Sequence, residues 1–303
     1  MSLRIGVDLG GTKIEIAAFD AGGAVLARKR VDTPVGDYDA TVETIASLVR
    51  EVEGELAIEG TVGVATPGAR SLATGLMKNC NSTCLNGRAL QDDLEKRLGR
   101  EVRLANDANC FALSEAVDGA GRDAEVVFGV ILGTGVGGGI VVGKRVVTGA
   151  NAIAGEWGHN PLPSPTPEDL PLPQCYCGRF GCIETFLSGP GLAADHERRT
   201  AVRLSAERIV KGAARGDRNS IKSIARYEDR LARSLASVIN VLDPGVIVLG
   251  GGLSNIERLY AEVPKRWKDH VFSDTVRTRL VPPTHGDASG VRGAAWLWND
   301  LNP

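Results

Sequence analysis

Four residues in this chain have the types and spacing of a metal site. His159 precedes Cys175 by sixteen positions, and Cys177 and Cys182 follow at intervals of two and five. One imidazole and three thiolates make a tetrahedral Cys3His set of the kind that binds Zn²⁺. Four protein ligands leave no open coordination position, so the expected zinc is structural rather than catalytic. The alternative is three free thiols in a loop. Prolines at 161, 163, 165, 167, 171 and 173 keep the intervening segment out of helices and central strands. A loop so polar and proline-rich needs a metal to organise it. Glu156 and Glu184 flank the ligands, where both could accept hydrogen bonds from the hydroxyls of a sugar.

Three glycine clusters suggest phosphate chemistry. In Asp8-Leu9-Gly10-Gly11-Thr12-Lys13, the glycines let successive N–H groups approach an anion closely. Thr12 adds a hydroxyl and Lys13 a positive charge, and Asp8 would hold Mg²⁺ through water, as phosphoryl transfer requires. A plain hairpin turn with a solvated lysine is the alternative. The run Gly133-Thr134-Gly135-Val136-Gly137-Gly138-Gly139 has five glycines in seven residues. That is costly in conformational entropy for a mere turn, so close approach of backbone to ligand is expected. Gly250-Gly251-Gly252 follows a buried strand and is a candidate for the base or ribose of a nucleotide, or a simple strand-to-helix turn. Asn106 and Asp107 stand where a strand ends and a helix begins. Asp107 is either a helix cap or a general base that takes a proton from a sugar hydroxyl attacking the γ-phosphate. Asn106 would hold a neighbouring hydroxyl.

These residues sit at the ends of regular elements. Arg4 to Asp8 and Ile14 to Asp20 read as strands either side of the Gly10-Gly11 turn, with a third from Ala24 to Arg30. Val42, Ile45, Leu48, Val49 and Val52 recur at helical spacing and predict a helix over 41–53. Further strands are expected at 61–65, 102–105, 126–132, 140–142 and 246–249. Helices are expected at 90–98, 109–116, 206–214, 221–242 and 290–298. Strand-Gly-Gly-Thr-Lys-strand near the start is echoed after position 132. The echo predicts a duplicated fold with a ligand cleft between its halves.

The 303 residues are enough for two domains. A formal net charge of -2 gives no reason to expect nucleic acid or an anionic membrane as partner. No apolar run reaches the length of a membrane span, and the opening MSLRIGVDLGG has no leader pattern. Six cysteines, three of them within eight residues, fit a metal site rather than a disulfide scaffold, and point to the cytoplasm.

Taken together, these motifs resemble the ROK family of bacterial sugar kinases and repressors, and the resemblance covers essentially the whole chain. It implies a duplicated α/β fold of the actin-like ATPase (ribonuclease H-like) type, with two lobes and a cleft. The small lobe would span 1–116 and regain a C-terminal helix at 290–303; the large lobe, 117–289, would carry the zinc insertion. The family's phosphate motifs match Asp8 to Lys13 and Gly133 to Gly139, and its catalytic aspartate matches Asp107. Its sugar-binding residues match Asn106, Glu156, His159 and Glu184, with Pro67, Gly68 and Asn81 nearby. Its zinc signature matches His159, Cys175, Cys177 and Cys182. The implied activity is phosphorylation of a hexose 6-hydroxyl with ATP and Mg²⁺, by a homodimer.

Asn79 to Gly87, His159 to Pro163 and His285 to Trp296 are similar to the fructokinase and manno(fructo)kinase branch, so fructose is the expected sugar. N-acetylglucosamine kinase and a broad glucokinase or mannokinase are the alternatives. Cys84 replaces an aromatic residue of that branch, and Thr66 a larger aliphatic one. A sugar-sensing repressor would need a helix-turn-helix segment before Asp8, where only seven residues stand.

Overall fold

The computed structural model describes residues 3–299. Met1, Ser2 and 300–303, the outer ends of the expected small lobe and C-terminal helix, lie outside the described residues. The chain opens with β1 (Leu3–Leu9), β2 (Lys13–Phe19) and β3 (Val25–Asp32), the antiparallel meander that the glycine turns predict. Helix α1 (Tyr38–Leu56) follows, capped by the Asp37 side chain, which accepts from Ala40 N–H. Its buried face is Val42, Ile45, Val49 and Val52, the residues whose spacing marked the helix. Next come β4 (Gly60–Thr66), a short ribbon β5 (Ala69–Arg70) and β6 (Met77–Lys78), α2 (Leu90–Leu98), β7 (Val102–Asn106) and α3 (Asp107–Val117).

The second half repeats the pattern with β8 (Val126–Leu132), β9 (Val136–Val142) and β10 (Arg145–Val146). After the proline-rich loop come α4 (Glu184–Leu187), α5 (Gly189–Thr200), α6 (Ala206–Ala214) and α7 (Arg218–Leu242). Strand β11 (Val246–Gly250), α8 (Arg258–Trp267), β12 (Arg279–Val281) and α9 (Ser289–Ala295) complete the order. Among the described residues, two five-stranded sheets have the orders β3-β2-β1-β4-β7 and β10-β9-β8-β11-β12. In the first, β1 pairs antiparallel with β2 and parallel with β4, which pairs parallel with β7. In the second, β11 pairs parallel with both β8 and β12. The matching orders are the duplication that the sequence echo predicts.

The chain divides into two compact units. One takes the described parts of Met1–Asp123 and Thr284–Pro303 together with Gly139–Ala154; the other takes Ala124–Gly138 and Gly155–Pro283. Residues 117–123, 139–154 and 284–289 therefore group with the first unit, beyond the boundary expected at 116. The cause is close packing: a Cβ on Gly139 would sit 2.5 Å from the Ala108 carbonyl oxygen of α3. Helix α9 is bound into the first unit more tightly still. A Cβ on Gly6 would meet the Val291 carbonyl at 1.9 Å, and one on Gly63 the Ala294 carbonyl at 1.9 Å. Only glycine permits that approach. Buried Glu115 on α3 secures the entry to α9, accepting from the N–H groups of Thr284 and His285 and from Ser289 Oγ. No helix among the described residues is long and apolar enough to cross a membrane.

The second unit holds a buried ionic network that ties the proline-rich loop to its helices. Arg230 of α7 donates to Asp169 of the loop at 2.7 Å and to Asp195 of α5 at 3.0 Å. Arg233 donates to Asp169 and to the carbonyls of Pro163 and Ser164, and Arg226 donates to Asp195. Burial alone would raise both carboxyls. The Thr166 N–H and Arg230 at Asp169, and Arg230 and Arg226 at Asp195, hold them below the usual carboxylate range. A depressed carboxyl stabilises the fold above its unfolded pKa and loses that contribution as pH falls through the folded one. Arg230→Ala leaves buried carboxylates short of a partner and is expected to cost about 3–5 kcal/mol at pH 7. Urea denaturation at pH 7 and pH 3 checks this, because the penalty narrows once the carboxyls are protonated.

Candidate functional site

The Cys3His cluster assembles from two short segments of the second unit. His159 ends a 3₁₀ turn, Trp157–His159. The cysteine loop is held by bridges Pro161↔Cys182 and Gln174↔Phe180 and by the Cys175 N–H bonded to the Arg179 carbonyl at 2.8 Å. The four ligand atoms lie within 4.8 Å of one another. His159 Nδ1 is 3.6 Å from Cys175 Sγ, and Cys177 Sγ is 3.6 Å from Cys182 Sγ. Tetrahedral zinc with bonds of roughly 2.3 Å to sulfur separates its ligands by about 3.7 Å, so the set fits. The Arg179 N–H, bonded to the Cys177 sulfur, pulls that thiol down to about 6, toward the thiolate a metal takes. His159 Nε2, the nitrogen expected to face a sugar hydroxyl, is instead 3.0 Å from the hydroxyl of Tyr176. That tyrosine is itself 84% exposed.

The Asn106–Asp107 corner lies in the first unit, where β7 passes directly into α3. The cap is Asn106, whose Oδ1 accepts from Ala108 N–H at 3.0 Å. Its Nδ2 donates to the Gly68 carbonyl at 3.3 Å, which brings the Pro67-Gly68 turn to the same corner. Gly68 has φ of +91° and closes on Cys80, so no side chain fits there. Asp107, exposed, is the first residue of α3, and its Oδ1 also accepts from Ala108 N–H at 2.7 Å. Asp8, at the end of β1, feels the Asp107 charge. Burial first, then Asp107 and Glu15, push its carboxyl up to about 6, against the pull of Arg30. Glu15 is a residue that the sequence reading passed over. It is buried opposite Asp8 and paired with Arg28 and Arg30, and a lone acid in the apolar strand KIEIAAF was the available signal.

The first glycine turn is tight. Gly10 N–H bonds the Lys13 carbonyl, and Thr33 Oγ donates to the Gly10 carbonyl at 2.8 Å. The N–H groups of Gly11 and Thr12 have no backbone partner among the described residues and remain open to an anion. The Lys13 ammonium, expected on a phosphate, pairs with Asp32 across the hairpin.

The second glycine run divides in its causes. A Cβ on Gly138 would strike the Gly155 carbonyl and the Trp157 ring, both at 2.7 Å, so protein packing rather than a ligand requires that glycine. Trp157 Nε1 donates to the Gly137 carbonyl at 3.0 Å, seating the segment that carries Glu156 and His159 on β9. Glu184, expected on a sugar hydroxyl, accepts from Val136 N–H at 2.9 Å and braces the turn. Glu156 is exposed, and its carboxylate has no hydrogen-bond partner among the described residues. Gly133 and Thr134 line a cavity of about 570 Å³ together with Gly252, Leu253, Pro190 and Lys211. Gly250 ends β11, and Gly251, at φ +79°, turns the chain beneath the Leu132 carbonyl and so places Gly252 at the rim. Two separate glycine motifs thus meet at one cavity.

The model of the ROK family matches residues 4–301. The chain belongs to the ROK family. An N-acetyl-D-glucosamine kinase of Photobacterium profundum is 43% identical over 296 residues, which cover 96% of this chain and 98% of that one. The crystal structure of a ROK hexokinase from Thermus thermophilus superposes with a TM-score of 0.86 at 30% identity, over 97% of each chain. A ROK family glucokinase from Streptomyces griseus, solved with glucose and AMPPNP, gives 0.76 at 28% identity over 98% of this chain and 99% of that one. The duplicated α/β architecture is therefore the actin-like ATPase fold of this family.

Proposed function

We propose that this ROK protein is a sugar kinase that transfers the γ-phosphoryl group of ATP to the 6-hydroxyl of N-acetyl-D-glucosamine. Whole-length similarity to an N-acetyl-D-glucosamine kinase, at 43% identity, carries the choice of sugar. Fructose, the expected substrate, gives way to what was the alternative. Asp107 takes the hydroxyl proton, and Asn106 offers its remaining amide hydrogen to the neighbouring hydroxyl. Glu156 and His159 supply further polar groups for sugar hydroxyls. The open N–H groups of Gly11 and Thr12 meet the phosphates, and the cavity at Gly133, Thr134 and Gly252 takes the nucleoside. Mg²⁺, when bound, neutralises phosphate charge beside Asp8. Zn²⁺ in the Cys3His set braces the loop that carries His159.

A coupled assay of ADP release tests the reading with N-acetylglucosamine, N-acetylmannosamine, glucose, mannose and fructose. N-acetylglucosamine is expected to lead in kcat/KM by about tenfold or more, a difference of roughly 1.4 kcal/mol in transition-state binding. A lead for fructose would return the assignment to the fructokinase branch.

A further inference from the structure

A second cavity, of about 280 Å³, opens in the first unit beside the Gly10-Gly11 turn. It falls just below the roughly 300–1,000 Å³ of whole small-molecule sites, with room for a polar substituent together with part of the ring that carries it. Two segments far apart in sequence enclose it: 33–36, after β3, and 81–85, a loop ending in a 3₁₀ turn. Leu9, Pro34, Val35 and Cys84 give it an apolar wall. Asn81 and Ser82 give it a polar rim, and neither side chain has a hydrogen-bond partner among the described residues.

A relay of contacts links the wall of the cavity to the Asn106–Asp107 corner. Asn106 bonds Gly68, Gly68 abuts Cys80, and Cys80 leads into Asn81. At the other side, a Cβ on Gly11 would lie 3.7 Å from Ser82 Oγ. The wall is held in shape: Asn86 clamps Cys80 through two hydrogen bonds of 2.9 Å, and the Thr33 hydroxyl is spent on Gly10.

We infer that this cavity receives the 2-acetamido group of an N-acetylated hexosamine, which makes Cys84 and Asn81 determinants of sugar choice. The inference rests on the proposed kinase reading. An acetamido group has an apolar methyl and a polar amide, and it needs both kinds of wall at once. The methyl packs on Cys84, Val35 and Pro34. Asn81 donates to the amide carbonyl, and Ser82 Oγ accepts the amide N–H. A thiol at position 84 leaves the space open; an aromatic ring, as in the fructokinase branch, would fill it.

The test compares kcat/KM for N-acetylglucosamine and glucose in the wild type, Cys84→Phe and Asn81→Ala. Cys84→Phe is expected to lower the N-acetylglucosamine value about 100-fold while glucose changes by less than about threefold. Asn81→Ala should lower the N-acetylglucosamine value about tenfold more than the glucose value. Should Cys84→Phe lose both sugars through misfolding, Asn81→Ala decides, because that residue is exposed and its replacement leaves the core intact. A wild type without preference for the acetylated sugar sinks the proposed substrate and the cavity together. A wild type with that preference, but with an unchanged sugar ratio in Asn81→Ala and in a folded Cys84→Phe, sinks the cavity alone.

Discussion

Asp107→Asn is expected to lower kcat by about 10²–10⁴-fold, the range that a general base contributes. The substitution is nearly isosteric and isolates the chemistry from the fold. An asparagine oxygen can still accept from Ala108 N–H, as Asp107 Oδ1 does at 2.7 Å, and Asn106 remains the cap. What disappears is the ability to take a proton. The negative charge that helps to raise Asp8 disappears with it, so the carboxyl at position 8 should ionise at lower pH than about 6. Steady-state kinetics paired with thermal melting checks the assignment. A variant that melts normally and turns over normally removes Asp107 from the chemistry. A matched loss of Tm would assign the residue to the start of α3 instead.

Removal of Cys182, a zinc ligand in the proposed reading, should have the next largest effect. Structural zinc contributes its binding free energy to folding, with apparent values of about 10–16 kcal/mol in small zinc peptides. This loop has other anchors, so the expected loss for Cys182→Ser is on the order of 4 kcal/mol, about 8–16 °C in Tm. Sugar affinity should fall in the same variant, because His159 belongs to the same cluster and Glu156 immediately precedes its short turn. Metal analysis, melting and a sugar-binding isotherm on the same preparation test this. A metal-free protein with unchanged Tm and unchanged affinity would reduce the cluster to four side chains that happen to be neighbours.

The sequence disclosed what is local. The glycine turns between strands, the helical spacing of α1 and the Cys3His spacing each depend on residues within one short span. The Asn106–Asp107 corner was legible for the same reason. What stayed hidden depended on contacts between distant segments. Gly138 and Gly139 read as glycines for a ligand, but Trp157 and Ala108 pack where their side chains would be. Glu184 read as a sugar ligand, and its further bond to the Val136 N–H, 48 positions away, had no local sign. Helix α5 begins Gly-Pro-Gly and carries a strongly charged sequence, and α8 contains Pro264, so local propensity hid both. The choice of sugar was the least legible, and similarity to N-acetyl-D-glucosamine kinases favours the alternative over fructose. The cavity at Cys84 is formed by 33–36 with 81–85, and no one-dimensional pattern shows that those segments face each other.

Helix α9 sets a timetable for biosynthesis. It packs against β1, β4 and α3 through glycines that admit nothing else, yet it follows all three far downstream in the chain. The ribosome delivers the first sheet early and then spends residues 124–283 mostly on the other unit. At about 5–20 residues per second, the seat of α9 stands empty for roughly ten to thirty seconds. During that interval the nascent chain presents an uncovered apolar surface to the cell. Stalling of translation in the second half would prolong that exposure and with it the chance of aggregation or proteolysis.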